Sequence, residues 1–489
     1  MTSLAIIQLV LFLLVALFSP FLTPPKRNQW LLLLVLIVNT GISAVLLLHI
    51  ESSGPITLLL GGHQRGLGIE LLIDAFSVLF TLFLGALGSV VQIYALGFMK
   101  THIPKAQHTA YSGLMAILFF AIFGLLYTND LFNTYVLIEI LSIATVALIS
   151  IVRKKRNFMA ALRYLLISEL ASLSVLFGIA LIYMVTGTLN MTLIYEAMPR
   201  AFANYPINVT LALGFMGMGL AIKTAIFPFH EWLPDAYTSA PSSSSAILSA
   251  LVSKAYMVVL IKILFRVFGS AIIEQLGAQW VMITLAAVAM IVGSLFALGQ
   301  TSFKRMLAYS SVAQVGYLLL ALSLLSRAGL EAMLFYMISH ALIKGTLFLV
   351  AGSFSTQHIK DSLKALSGVA YVAPFTALVL GVGAFGMVGI PGTSGFIAKF
   401  HLAMALGDAS RWGFVALIML SSILNAIYFF PVIINSIVKQ TGTVPLKRDH
   451  LPISMVLSMS VLLIAIVTLG FSPSLVLPYI EAAVTAIGF

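Results

Sequence analysis

The sequence predicts an all-α polytopic membrane protein of about fourteen transmembrane helices. Three observations carry that reading. Hydrophobic residues make up 61% of the 489-residue chain and charged residues 8%, a balance far from that of soluble globular proteins. The mean hydropathy is +1.10. Apolar runs of 18 or more residues recur from end to end, each long enough to cross a hydrocarbon core of about 30 Å as a helix.

The runs fall near 4–23, 29–50, 72–98, 111–127, 131–152, 160–185, 208–228, 243–268, 279–299, 307–325, 331–354, 372–405, 412–437 and 451–470. The first lacks the basic leader and small-residue cleavage site of a secretory signal and is read as a true span. Pro228 interrupts the seventh run, and Gly389, Pro391, Gly392 and Gly395 interrupt the twelfth. Proline has no N–H to give to the helix ladder, and irregular backbone at membrane depth persists only where it is buried in protein or lines a wet cavity. Each break lies beside a lysine, Lys223 and Lys399. Two such breaks five spans apart fit an inverted repeat, with spans 4–8 related to spans 9–13. The expected organisation is an N-terminal three-helix segment (1–110), a first repeat (111–268), a second repeat (279–437), and a C-terminal helix and tail (438–489), each repeat holding one half-channel of a transporter.

Loop charge sets the orientation. Fifteen lysines and arginines follow odd-numbered runs, among them Arg153, Lys154, Lys155, Arg156, Lys304, Lys360, Lys439, Lys447 and Arg448. Only Arg65, Arg200, Arg266, Arg327 and Arg411 lie at the opposite ends. The positive-inside rule then puts both termini outside the cytoplasm, in the plasma (inner) membrane of a prokaryote. The same asymmetry accounts for the net charge of +11, so no nucleic-acid partner is implied. Cysteine is absent, which excludes thiolate-ligated iron–sulfur clusters and disulfides. No cofactor is expected on this chain, and any redox chemistry belongs to a partner.

Six basic residues remain. Arg163 and Lys262 lie within about two turns of a run's end, where a long side chain reaches the headgroups. Lys223, Lys254 and Lys344 sit well inside apolar runs, as do Glu139, Glu169 and His340. A charge at mid-bilayer costs about 2.5–3.5 kcal/mol, so these groups face one another or water. Structural ion pairs are the plain alternative, but the bases outnumber the acids, and a matched structural network would balance them. Lysines caught between desolvation and a nearby carboxylate share or shift protons.

The stretch FPFHEWLPDAYTSAPSSSSAILSALVSKAYMVVLIKI, with Lys223 before it and Lys254 within it, resembles the signature of the antiporter-like, proton-translocating subunits shared by respiratory complex I, membrane-bound hydrogenases and related reductases, and Mrp cation/proton antiporters. ISHALIKGTLFLVAGS and GIPGTSGFIAKF are similar to the family's later motifs, and MVTGTLNM at 184–191 is similar to the D-type Mrp subunit. The resemblance extends over residues 70–440. It implies that Glu139 pairs with Lys223, that Lys254 connects onward, that His340 and Lys344 follow one turn apart, and that Lys399 is the terminal base. It further implies transport of protons, with sodium as a candidate coupled ion, and partners among other hydrophobic subunits, with or without a peripheral iron–sulfur arm. Histidine suits such a relay because its unperturbed pKa is about 6.5.

The chain departs from the family at Tyr237, where many members have His, and at Ser244 and Gly392, where a second proline is common. Glu169 is an added acid, expected to contact an axis lysine rather than Arg163. Asp74 reads equally as a family position and as a helix cap. His230, Glu231 and Asp235 are expected to shape the turn after the seventh span rather than to bind metal. Three functions compete: an ion-translocating subunit of a redox-driven complex, a D-type subunit of a stand-alone antiporter, and a single-chain secondary transporter of a small solute. The last needs a substrate-sized polar cleft, whereas the sequence supplies a line of ionisable groups.

Overall fold

The structure is a computed structural model that describes residues 1–22, 24–438 and 450–489; Lys439, Lys447 and Arg448 of the loop-charge count lie outside them. Two helices open the chain, α1 (Thr2–Phe18) and α2 (Pro25–Ser53). A short antiparallel hairpin follows, β1 (Ile56–Leu59) with β2 (Glu70–Ile73), in the register Ile56 to Ile73. Then come α3 (Ala75–His102), α4 (His108–Tyr127), α5 (Leu131–Ser150), α6 (Lys155–Thr186), α7 (Met191–Asn204), α8 (Pro206–Lys223) and α9 (Trp232–Ser239).

The centre of the chain is α10 (Ser242–Phe268), whose ladder widens into π-helical turns at Leu248–Val252 and Ile263–Phe268. It leads through α11 (Ser270–Gln275) to α12 (Ala278–Leu298), α13 (Phe303–Leu322) and α14 (Arg327–Thr356). The last group is α15 (Pro374–Val388), α16 (Ser394–Asp408), α17 (Trp412–Ile437), α18 (Ile453–Phe471) and α19 (Leu477–Ile487).

Among the described residues thirteen helices are long and apolar enough to cross a membrane. The twelfth expected run falls on two shorter helices, α15 and α16, of 15 residues each. The third expected run began too early: its first residues, 72–73, belong to β2, because Asp74 caps α3 through a reciprocal pair of hydrogen bonds with Ser77. Apolar content alone cannot separate a strand end from a helix start. The amphipathic helix α7 and the hairpin were too short for the run count.

Burial orders the spans. The membrane-crossing window is 100% buried in α14, 94% in α10 and 89% in α13, against 28% in α1 and 33% in α17. Three central helices are thus screened from lipid by the others, and two of them carry Lys254, Lys262, His340 and Lys344. On the face opposite the basic loops, buried Glu70 ties the connections together by accepting from Arg65 Nε at 2.9 Å, Asn129 Nδ2 at 3.0 Å and Asn190 Nδ2 at 2.9 Å.

Candidate ion-translocation axis

Lys223 is the last residue of α8, five residues before Pro228, and the backbone leaves the helix through Ala225 at φ +57°. A cation at a helix C-terminus meets the negative end of the macrodipole. Its Nζ donates to Ser142 Oγ of α5 and Ser168 Oγ of α6, both at 2.6 Å. Ser142 Oγ in turn lies 3.0 Å from Tyr256 Oη of α10. The expected Glu139–Lys223 ion pair is therefore not formed in this structure. Two hydroxyls occupy the lysine's donors, and Glu139 keeps one buried oxygen with no partner. Glu139 instead faces Glu169 across α5 and α6, with Lys223 near enough to both for electrostatic interaction. Glu169 thus joins an acid pair beside the axis, while Arg163 pairs with Asp235 at 2.6 Å.

The second break is built differently. Gly389 (φ +88°) ends α15 and Gly392 (φ +88°) precedes α16, both in the left-handed region that favours glycine. Lys399 turns back from α16 to cap the broken end, donating to the carbonyls of Met387 at 3.0 Å and Val388 at 2.9 Å and to Ser422 Oγ at 3.0 Å. A Cβ at Gly389 would stand 3.0 Å from Lys399 Cδ, so the glycine also clears the lysine's path.

Between the breaks, α10 and α14 meet at charged groups. Lys254 Nζ lies 2.6 Å from His340 Nδ1, and it also donates to the Ser249 carbonyl at 2.8 Å within the first π-helical turn. An ammonium has only donors, so a charged Lys254 places the imidazole proton on Nε2, which is buried without a partner. Lys344, one turn beyond His340, donates to the Leu307 carbonyl at 2.7 Å and in a close contact to Ser310 Oγ, both on α13. From Lys223 toward His340 runs a cavity of about 10 Å³, lined also by Thr224, Tyr237, Ser249 and Ser253. That is room for about one water, and the Ser249 hydroxyl beside it has no partner.

From Lys344 the line continues through residues that the sequence reading missed. Ser310, Gln314 and Tyr317 stand at i, i+4 and i+7 on one face of α13. Facing them on α17, Tyr428 reaches toward Ser310 and donates to Asn425 Oδ1 in a close contact. The Tyr317 hydroxyl points at Ser421, Ser422 and Asn425 without bonding any of them, and its ring lies 5.1 Å from Lys399 Nζ. Gln314 Oε1 accepts from Tyr336 Oη at 2.5 Å, and the Tyr336 and Tyr317 rings stack with centroids 5.4 Å apart. Buried Tyr317 Oη, Gln314 Nε2 and Asn425 Nδ2 all lack partners among the described residues. Buried polar atoms without protein partners are where ordered water is found. The available signal was the i, i+4, i+7 spacing of polar residues in MLAYSSVAQVGYLLL.

Two other lysines differ from expectation. Lys262 does not reach the headgroups: it is buried and donates to the carbonyls of Leu125, Leu126 and Thr128 at 3.0, 2.5 and 3.0 Å, closing the C-terminal end of α4. Lys304, counted with the loops, is buried and donates to the Ala240 carbonyl at 2.6 Å. Asp74 is both a cap and an ion-pair partner of Arg266. No three His, Asp or Glu side chains converge as a metal site requires among the described residues.

Buried lysines linked by hydroxyls, carbonyls and one imidazole, in a bundle broken twice at membrane depth, define an antiporter-like membrane subunit. The chain belongs to the family described as "NADH:quinone oxidoreductase/Mrp antiporter, TM", which matches residues 128–425. It is 37% identical over 420 residues to NADH-quinone oxidoreductase subunit N of Desulforudis audaxviator, covering 82% of each chain. It is 28% identical over 448 residues to the D-type subunit of the Na(+)/H(+) antiporter of Bacillus subtilis, covering 91% of this chain and 89% of that one. Among solved structures, the membrane-bound sulfane sulfur reductase, an archaeal respiratory membrane complex, contains a chain that superposes with a TM-score of 0.90 at 28% identity, covering 99% of this chain and 97% of that chain.

Proposed function

We propose that this chain carries protons across the inner membrane of a prokaryote, as one subunit of a multisubunit complex, along Glu139, Lys223, Lys254, His340, Lys344 and Lys399. The observation that carries the reading is the 2.6 Å contact of Lys254 with His340, which joins the region of the first break to that of the second. Lysine and histidine hold and pass protons, whereas a sodium ion prefers a cage of oxygen ligands. The axis cavity admits about one water, which disfavours a small organic solute as cargo.

Movement of the Glu139–Glu169 pair, or of charge on a neighbouring subunit, alters the stability of the proton on Lys223. That proton then passes by way of water and Ser249 to the Lys254–His340 pair, on to Lys344, and through the tyrosine cluster to Lys399. The two broken crossings and their lysines support an inverted repeat of five spans each within a fourteen-span chain. Loop charge supports termini on the extracytoplasmic side. The higher identity to the oxidoreductase subunit favours a redox-driven assembly, in which partner chains hold the iron–sulfur clusters that this cysteine-free chain does not bind.

The test is Lys254→Met in the whole complex reconstituted into vesicles. Proton flux is expected to fall about tenfold or more, equivalent to at least about 1.4 kcal/mol on the barrier, with assembly retained. Wild-type flux in the assembled variant would refute the axis.

A further inference from the structure

Outside the axis, a cavity of about 410 Å³ opens on the face that carries the basic loops, where the ends of α3, α6, α10, α13 and α14 meet. Its volume lies in the range of small-ligand sites, about 300–1,000 Å³. Lys154, Arg156, Lys304 and Lys360 line it, and the one carboxylate present is Asp361. That carboxylate is engaged, since it accepts from Ser302 Oγ at 2.6 Å and from the Lys304 N–H at 3.0 Å at the start of α13. Lys154, Arg156 and Lys360 make no ion pair among the described residues.

Positive-inside topology alone would scatter such cations over loops bathed in water. Here they converge from three separate segments on one hollow. One of them, Lys304, is withdrawn to 8% exposure with a single carbonyl acceptor for its ammonium among the described residues, and the one carboxylate near it, Asp361, is set against four cations, an arrangement that a further anion would relieve. The hollow is also ill suited to proton uptake, because uncompensated cations repel an arriving proton. The floor is apolar, formed by Phe98, Phe303 and Phe354. Cations and aromatic rings lining one hollow match an amphiphile with an anionic head.

We propose that this cavity binds a phosphate group, held by Arg156, Lys154, Lys304 and Lys360. The apolar floor favours the headgroup of an anionic phospholipid as its source. Bound there, the ligand bridges α6 to α13 and to the loop that follows α14, and so couples the surrounding lipid to the packing of the central helices. The site shares no residue with the proton axis, so it stands or falls separately from the transport reading.

The experiment melts the purified complex in neutral detergent with added phosphatidylglycerol, phosphatidylcholine or inorganic phosphate, for the wild type and for the double variant Arg156→Gln/Lys360→Gln. The two substituted residues are exposed at the rim, and each single variant repeats the titration should the double fail to assemble. A ligand that binds only the folded form raises the melting temperature. The expected result is a rise with phosphatidylglycerol and none with phosphatidylcholine, with at least about tenfold more lipid needed in the double variant once the Arg156 and Lys360 contacts are lost. The same variant-sensitive rise with inorganic phosphate supports the phosphate site and assigns a free anion as the source. No rise with either anion, or a rise that the variants keep at unchanged concentration, overturns the proposal.

Discussion

Each intramembrane lysine is accommodated by a different local device. Lys223 is held by two serines, Lys254 by an imidazole and a carbonyl from a π-helical turn, Lys344 by a carbonyl and a serine of α13, and Lys399 by the open end of α15. None of the four forms an ion pair with a carboxylate among the described residues. The ammonium groups are solvated by neutral dipoles, which lowers the cost of burial without locking the charge in place. Tyr317 is the residue whose role is most open to a direct check. Its hydroxyl is buried, bonds nothing among the described residues, and stands between Asn425 and the Ser422 that receives Lys399. Tyr317→Phe keeps the ring and its stacking on Tyr336, so complex stability should be unchanged. Proton flux should fall about tenfold, or about 1.4 kcal/mol on the barrier. Unchanged flux would remove the tyrosine cluster from the route.

At the scale of elements, the breaks depend on close backbone approach. A Cβ at Gly395 would stand 1.9 Å from the Gly386 carbonyl oxygen, so α16 packs against α15 only because that position is glycine. Gly395→Ala should push the two half-helices apart, cost on the order of 1–3 kcal/mol of stability as overpacking does, and lower both the melting temperature of the complex and its flux. A variant with wild-type melting would mean that the half-helices tolerate separation. The breaks themselves were legible in the sequence, since Pro228, Gly389, Pro391 and Gly392 interrupt apolar runs within about three turns of a lysine. The π-helical turns of α10 were not. They fall in the apolar stretches LSALV and ILFRVF, which contain neither proline nor glycine, and only tertiary packing decides the wider ladder.

At the scale of the molecule, hydropathy made the membrane bundle legible because crossing a bilayer needs length and apolarity, both local properties. The polar axis was half legible. Charged residues in apolar runs announce themselves by their cost, whereas Tyr317, Tyr428, Asn425 and Gln314 are cheap enough in a helix to pass unnoticed until α13 and α17 are seen to face one another. Partners were harder still. Lys262 lies near a run's end, and only the fold reveals the carbonyl ends of α4 beside it. The proposed path is continuous through the whole chain, from the Lys223 region to the Lys399 region. The most direct test measures proton flux through reconstituted complexes carrying Lys223→Met, Lys399→Met, or both. Steps in series predict that the double variant is no slower than the slower single variant. Single variants that each keep a substantial part of the flux, with transport lost only in the double variant, would mean two parallel routes and would contradict the account.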